Sequence, residues 1–136
     1  MIIGVPKETF SGERRVALIP LEVPRLTKAK LEVIVEAGCG VEAGFPDSEY
    51  EHRGATVVKT REELFEKADL VATVRAAGAN AEGIKSDCAL LREGQALLGF
   101  LDPLSEPESA KPFAEARATT FSMEMMPRIT RAQSMD

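Results

Sequence analysis

Short apolar runs recur along the chain with polar stretches between them: residues 2–5, 31–35, 55–58, 70–74, 96–101 and 119–123. All are rich in β-branched or bulky side chains, which predicts strands buried on both faces. The intervening stretches carry helix starts. Pro20 precedes a thin Val23/Leu26 stripe, Asp47 precedes Tyr50, Thr60-Arg-Glu-Glu63 has the form of a capping box ahead of Leu64 and Phe65, and Ser105 is followed three residues on by Glu108. Strand and helix alternation of this kind predicts an α/β fold: a doubly wound, mostly parallel, three-layer sheet of about six strands.

With 136 residues, 44% hydrophobic and 29% charged, the chain suits one soluble globular domain, which buries roughly two-thirds of its unfolded surface. A formal charge of -5 provides no basic field for a polyphosphate backbone, which excludes nucleic acid as a partner. No apolar run approaches the ~20 residues that span a bilayer, and the start Met1-Ile-Ile-Gly4 is not a signal peptide. The expectation is a cytoplasmic location without direct membrane insertion. Cys39 and Cys88 lie far apart, with no metal-ligand spacing, and read as structural.

Chemistry concentrates in three places. Residues 36–44, Glu-Ala-Gly-Cys-Gly-Val-Glu-Ala-Gly, follow a strand as a dinucleotide fingerprint would, but the glycines give G-x-G-x-x-x-G and Glu42 would meet a pyrophosphate with like charge. A tight glycine-dependent turn is expected, not a phosphate cradle. In the segment after the first strand, Arg14 and Arg15 offer forks suited to a carboxylate or phosphate; the plainer reading pairs them with Glu8 and Glu13 on a solvated loop. The closing decapeptide, Pro127-Arg-Ile-Thr-Arg-Ala-Gln-Ser-Met-Asp136, sets two guanidiniums, a carboxamide, a hydroxyl and a carboxylate just past the last strand, where open α/β sheets place ligands. His52 reads as a surface residue, and Met123, Met125 and Met126 as core filler beside a strand end.

Taken together, K-E-x(4)-E-x-R-V-A-x-x-P at residues 7–20, V-x-V-E-A-G-x-G-x-x-A-G-F-x-D at 33–47, Gly54-Ala55, A-D-L-V at 68–71 and the closing P-R-I-T-R-A-Q-S-M-D resemble the amino-terminal domain shared by alanine dehydrogenase and the NAD-binding alpha subunit of proton-translocating NAD(P) transhydrogenase. The resemblance runs the whole length, and the last decapeptide resembles the transhydrogenase branch. It implies that residues 1–136 are one amino-terminal domain of a longer two-domain subunit, whose following Rossmann domain carries the glycine-rich loop. It also implies a subunit that binds NAD(H) and exchanges hydride with NADP(H) on a partner subunit, working as a homodimer beside membrane-embedded and NADP-binding subunits, peripheral to that membrane complex. Isolated, the fragment is expected to be inactive.

Carried over position by position, the resemblance puts Arg128, Gln133 and Asp136 beside the nicotinamide, leaves Arg131 to structure, and makes Arg15 and Arg75 candidate anion or substrate contacts. No residue is assigned as catalytic, and no metal is expected. In the dehydrogenase branch a His aligns with Asp102 and a Lys with Arg75. A carboxylate is no substitute for an imidazole as a proton shuttle at neutral pH, whereas direct hydride transfer between nicotinamides needs positioning only. Milder departures from the family pattern are Cys39, Lys30 at a usual turn glycine, and Ala76-Ala77 after the fourth strand. The alternatives are an alanine-dehydrogenase-like oxidoreductase and a non-catalytic folding or dimerisation module.

Overall fold

The computed structural model describes residues 1–135. In chain order the elements are β1 (Ile2–Val5), α1 (Val23–Lys28), β2 (Glu32–Glu36), α2 (Asp47–His52), β3 (Thr56–Val58), α3 (Arg61–Lys67), β4 (Leu70–Arg75), α4 (Ile84–Leu90), β5 (Ala96–Phe100), α5 (Lys111–Glu115) and β6 (Thr119–Ser122). The six strands form one sheet in the order β3-β2-β1-β4-β5-β6, with every neighbouring pair parallel. The winding direction reverses between β1 and β4. In such sheets the crevice at that reversal, outside the carboxyl ends of the strands, is where ligands bind.

Hydrophobic alternation explains which face each helix covers. Val5, Val33 and Val35 point to one face and pack with Val23 of α1 and Tyr50 of α2. Ile34 and Val71 point to the other, against Leu64 and Phe65 of α3, and Leu97 meets Phe113 of α5 on that same side. The capping box forms: Thr60 accepts from the Glu63 N–H at 3.2 Å, while the Glu63 carboxylate reaches one residue further back than the motif requires, to the Lys59 N–H. At the other end of α3, the buried Gln95 carboxamide donates to the Phe65 and Ala68 carbonyls, which the helix leaves without partners.

Helix ends show where the chain carries strain. After α1, the Lys30 N–H bonds the Thr27 carbonyl and the Leu31 N–H bonds the Leu26 carbonyl, a Schellman motif that needs a left-handed residue at Lys30, whose φ is 63°. After α5, Arg117 at φ 53° closes the same motif. Both side chains are exposed, so glycine would relieve the Cβ clash at the cost only of the solvent-exposed Arg117–Glu93 pair. Lys30→Gly and Arg117→Gly should each raise stability by about 0.5 to 1 kcal/mol, additively because they are far apart. Urea unfolding of the single and double variants measures this.

The Gly38–Gly44 segment is the expected tight turn. Gly38 and Gly44 take φ of 76° and 89°, and a side chain at Gly40 would collide with Tyr50 and the Phe45 carbonyl. The Gly38 N–H is already bonded to the Asp47 carboxylate at 2.8 Å, a negative group where a cradle would present a free donor. Cys39 beneath the turn is buried, and that burial, with the charge of Asp47 nearby, pushes its thiol up to about 12. The folded protein therefore keeps a proton that the unfolded chain releases near the ordinary value of 9.0. Stability from this group is complete below that pH and falls between the two values, by about 1.4 kcal/mol per pH unit. Alkaline unfolding should move to higher pH in Cys39→Ala relative to its own neutral-pH stability.

Two expectations are corrected, and one helix has no counterpart among the expected starts. Helix α4 carries no start signal: its first turn follows Gly83, and no side chain caps it. Ser105 does not begin a helix; a 3-10 turn starts at Pro107 and becomes helical only at Lys111, because Pro107 and Pro112 fix φ while giving up N–H groups that a first turn does not use. The last strand is not buried on both faces. β6 lies at the sheet edge, and Phe121 is 51% exposed. Registered side by side, Ala72, Leu98 and Phe121 share the face that α1 and α2 cover elsewhere, and among the described residues no helix lies over this half.

Candidate functional site

At the reversal, β1 stops at Val5 while β4 runs on to Arg75, leaving N–H groups of β4 without a strand partner. Glu8 replaces the strand. Its carboxylate accepts from the Val74 N–H at 2.7 Å, the Arg75 N–H at 3.1 Å and the Thr73 hydroxyl at 2.8 Å. Pairing of β4 with β5 shifts register between Ala72 and Arg75, which turns the Arg75 side chain toward the loop after β1. There it lies 4.4 Å from the Phe10 ring centre, a cation–π contact, and donates through Nε to Glu13 Oε2 at 2.9 Å.

Glu13 is the hinge of this corner. Its side chain is only 5% exposed and also takes a two-pronged bond from Arg15, Nε at 2.8 Å and Nη2 at 2.7 Å. The Arg15 fork, helped by Arg75, outweighs burial and holds the Glu13 carboxyl well below the usual carboxylate range. Arg15 and Arg75, the two candidate anion contacts, thus lie together and already share one internal carboxylate. Arg14 pairs instead with Glu42 at 3.9 Å, and both side chains of the pair are exposed. Nothing in residue spacing identifies Glu13 as a bridge; only the strand order places its loop beside β4.

Behind this corner lies a second ionic cluster. Arg61, at the start of α3, forms a two-pronged pair with Asp87 of α4 at 2.7 and 2.8 Å, reaches Glu36 at 3.2 Å and donates to the Lys7 carbonyl at 2.8 Å. Since the Lys7 N–H bonds Glu36 as well, both sides of residue 7 are pinned immediately before Glu8. The cluster fixes the loop that carries Glu8, Glu13 and Arg15.

The carboxyl ends of β4, β5 and β6 enclose three adjoining cavities that share Phe100, whose ring is 42% exposed. One, about 340 Å3, is walled by Arg15, Arg75, Ala79, Phe100, Asp102 and Glu124. Its neighbour of about 280 Å3 is bounded by Phe100, Met123, Glu124, Met126 and Arg128. Glu124 accepts from the Leu101 and Asp102 N–H groups, fixing Asp102 in a left-handed conformation with φ of 50°. Burial opposes ionisation of Glu124, but the Ser122 hydroxyl beside it and these backbone N–H groups prevail and lower its pKa.

Arg128 lines the second of these cavities. Gln133 is exposed in the 3-10 segment Thr130–Met135, where Ala132 is buried, and it is not among the described residues that line these cavities. Asp136 falls outside the described residues. Met125 is 50% exposed, and Met123 and Met126 line the cavity wall, which corrects their reading as core filler. His52 is exposed, as read. Sequence reasoning missed Phe100 as a site residue, because an aromatic within an apolar strand run reads as core. Among the described residues there is no cluster of metal-ligating side chains and no helix long and apolar enough to cross a membrane.

The family model for the alanine dehydrogenase/PNT N-terminal domain matches residues 4–136. The NAD(P) transhydrogenase subunit alpha of Cereibacter sphaeroides is 39% identical over 136 residues, all of this chain and 25% of that protein. The alanine dehydrogenase of Methanococcus maripaludis is 34% identical over 124 residues, 91% of this chain and 32% of that protein. Among solved structures, the transhydrogenase from Sinorhizobium meliloti matches with a TM-score of 0.89 and 37% identity, covering 100% of this chain and 39% of that one. The chain spans about a quarter to a third of the length of these curated relatives.

Proposed function

The chain belongs to the alanine dehydrogenase/PNT N-terminal domain family, and we propose that it is the part of an NAD(P) transhydrogenase alpha subunit that aims the nicotinamide of NAD(H) at its hydride acceptor. The observation that supports this most is the exposed Phe100 ring at the carboxyl edge of the sheet, flanked by Arg128 on one side and by Arg15, Arg75 and Asp102 on the other. A flat apolar surface with hydrogen-bonding groups at its rim suits a flat heteroaromatic carrying an amide. The Gly38 amide, bonded to Asp47, offers no pyrophosphate cradle. These residues fit the nicotinamide end of the cofactor, and the pyrophosphate falls to a further domain of a longer subunit.

When bound, NAD(H) supplies the hydride chemistry itself. Phe100 presents a stacking surface and Arg128 orients the carboxamide from the cavity wall; Gln133, which stands outside that wall, and Asp136 are assigned to the same set by the resemblance of the closing segment alone. Glu13 and Glu8 hold Arg15 and Arg75 still at the opposite wall. NADP(H) binds a partner subunit, and the assembly is a homodimer on a membrane complex.

The paired guanidiniums favour one other reading. Arg15 and Arg75 together are what a clamp for an amino-acid carboxylate would need, so an alanine-dehydrogenase-like activity is the competing function. The full-length protein, assayed with its partner subunits, should oxidise NADH in the presence of NADP+ and show no alanine-dependent reduction of NAD+. The reverse pattern would replace the first reading with the second.

A further inference from the structure

The wall of the larger cavity is unusual in its charge. Arg15 and Arg75 line it together with Asp102 and Glu124, and Glu13 is bonded to both arginines without lining it. Glu8 adds a carboxylate behind Arg75, and Arg128 a cation on the far side of Phe100. Glu13 is satisfied by the two arginines and Glu124 by two backbone N–H groups. Asp102 is different. Among the described residues its carboxylate has no ion-pair partner, yet it lines the cavity from a backbone that Glu124 holds in place.

An entering carboxylate would meet an arginine pair already shared with Glu13, and an uncompensated charge at Asp102. An amide of the same shape would meet an acceptor for its NH2 group and suffer no like-charge repulsion. We infer that Asp102 is a specificity-determining residue that closes this cavity to free carboxylates and selects an uncharged amide on an aromatic ring. This rests on the reading of the site as one for a nicotinamide, and adds to it the residue and the charge rule that would exclude amino and keto acids.

Nicotinamide and nicotinate are the two probes, since they differ only in amide against carboxylate. Titrated into the full chain and followed by amide chemical shifts, nicotinamide should bind at least tenfold more tightly than nicotinate. Asp102→Asn removes the charge, keeps the shape and tolerates the left-handed backbone, so the protein folds. It should raise nicotinate affinity on the order of tenfold, as expected when a like charge within hydrogen-bond reach of the ligand carboxylate at a solvated cavity is removed, and leave nicotinamide within about threefold, because the Asn carbonyl oxygen still accepts from the amide. Equal affinity of the wild-type chain for the two probes, an unchanged ratio in Asp102→Asn, or binding of neither would each overturn the inference. The parent reading fails separately. If nicotinamide binds with the Asp102-dependent preference but NADH does not displace it from the full-length protein, the selectivity stands and the cofactor assignment falls.

Discussion

Asp87→Ala should lower the unfolding free energy by about 3 to 5 kcal/mol, the usual cost of stranding one partner of a buried ion pair. The Arg61 and Asp87 side chains are 14% and 7% exposed, so water cannot replace the lost carboxylate. Burial alone works against the Arg61 charge; the two-pronged bond from Asp87, aided by Glu36, reverses that and raises its pKa. Without Asp87, Glu36 and the Lys7 carbonyl would still hold the guanidinium, but through its other nitrogen. Replacing both members by apolar residues, as in Arg61→Met with Asp87→Leu, should cost less than either single loss, because neither member is left as an unpaired buried charge and Glu36 keeps the bond from the Lys7 N–H. Exposed pairs such as Arg117 with Glu93, at 73% and 71% exposure, should contribute less than about 1 kcal/mol. Urea unfolding monitored by far-ultraviolet circular dichroism measures all of these. A loss under about 1 kcal/mol for Asp87→Ala would mean that the cluster is hydrated and does not fix the loop after β1.

The strands were legible because each is a short apolar run with polar neighbours, and β1 to β5 fall within a residue or so of the expected bounds. The α3 start was legible because Thr60 and Glu63 act locally. What failed was non-local. Helix α4 begins on Gly83 without a capping side chain and is held by Asp87 bonding a helix 26 residues away in sequence, which no local pattern reveals. β6 has the composition of a buried strand, and only its edge position in the sheet order exposes Phe121.

The site divides in the same way. The polar cluster after the last strand marked the closing segment as a whole, and its resemblance to the family singled out Arg128, Gln133 and Asp136; of these, Arg128 lines a cavity. Glu13 as a bridge between Arg15 and Arg75 depends on β1 and β4 being neighbours, since 62 residues separate Glu13 from Arg75. Lys30 was legible in part, as a departure at a turn whose positive φ gives the reason glycine suits that position, whereas nothing in the sequence marked Arg117.

The second large effect concerns the closing segment. In a full-length subunit the adenosine and pyrophosphate would supply most of the affinity, while Arg128, Gln133 and Asp136 set the angle and approach of the ring. Misplacing a reacting group by about 1 Å costs on the order of 100-fold in rate. Gln133→Ala, Asp136→Asn and Arg128→Ala should each slow hydride transfer by about that factor while changing NADH affinity only a few-fold. A group that merely anchored the cofactor would show the opposite division.

Single-turnover transfer of hydride from NADH to NADP+, measured beside an NADH titration in the full-length Arg128→Ala protein with its partner subunit, tests the central claim most directly. The account predicts a rate constant lower by about two orders of magnitude at saturating NADH, with affinity nearly intact. A rate constant near that of the wild type together with collapsed NADH affinity would contradict it, showing that this segment holds the cofactor and does not aim it.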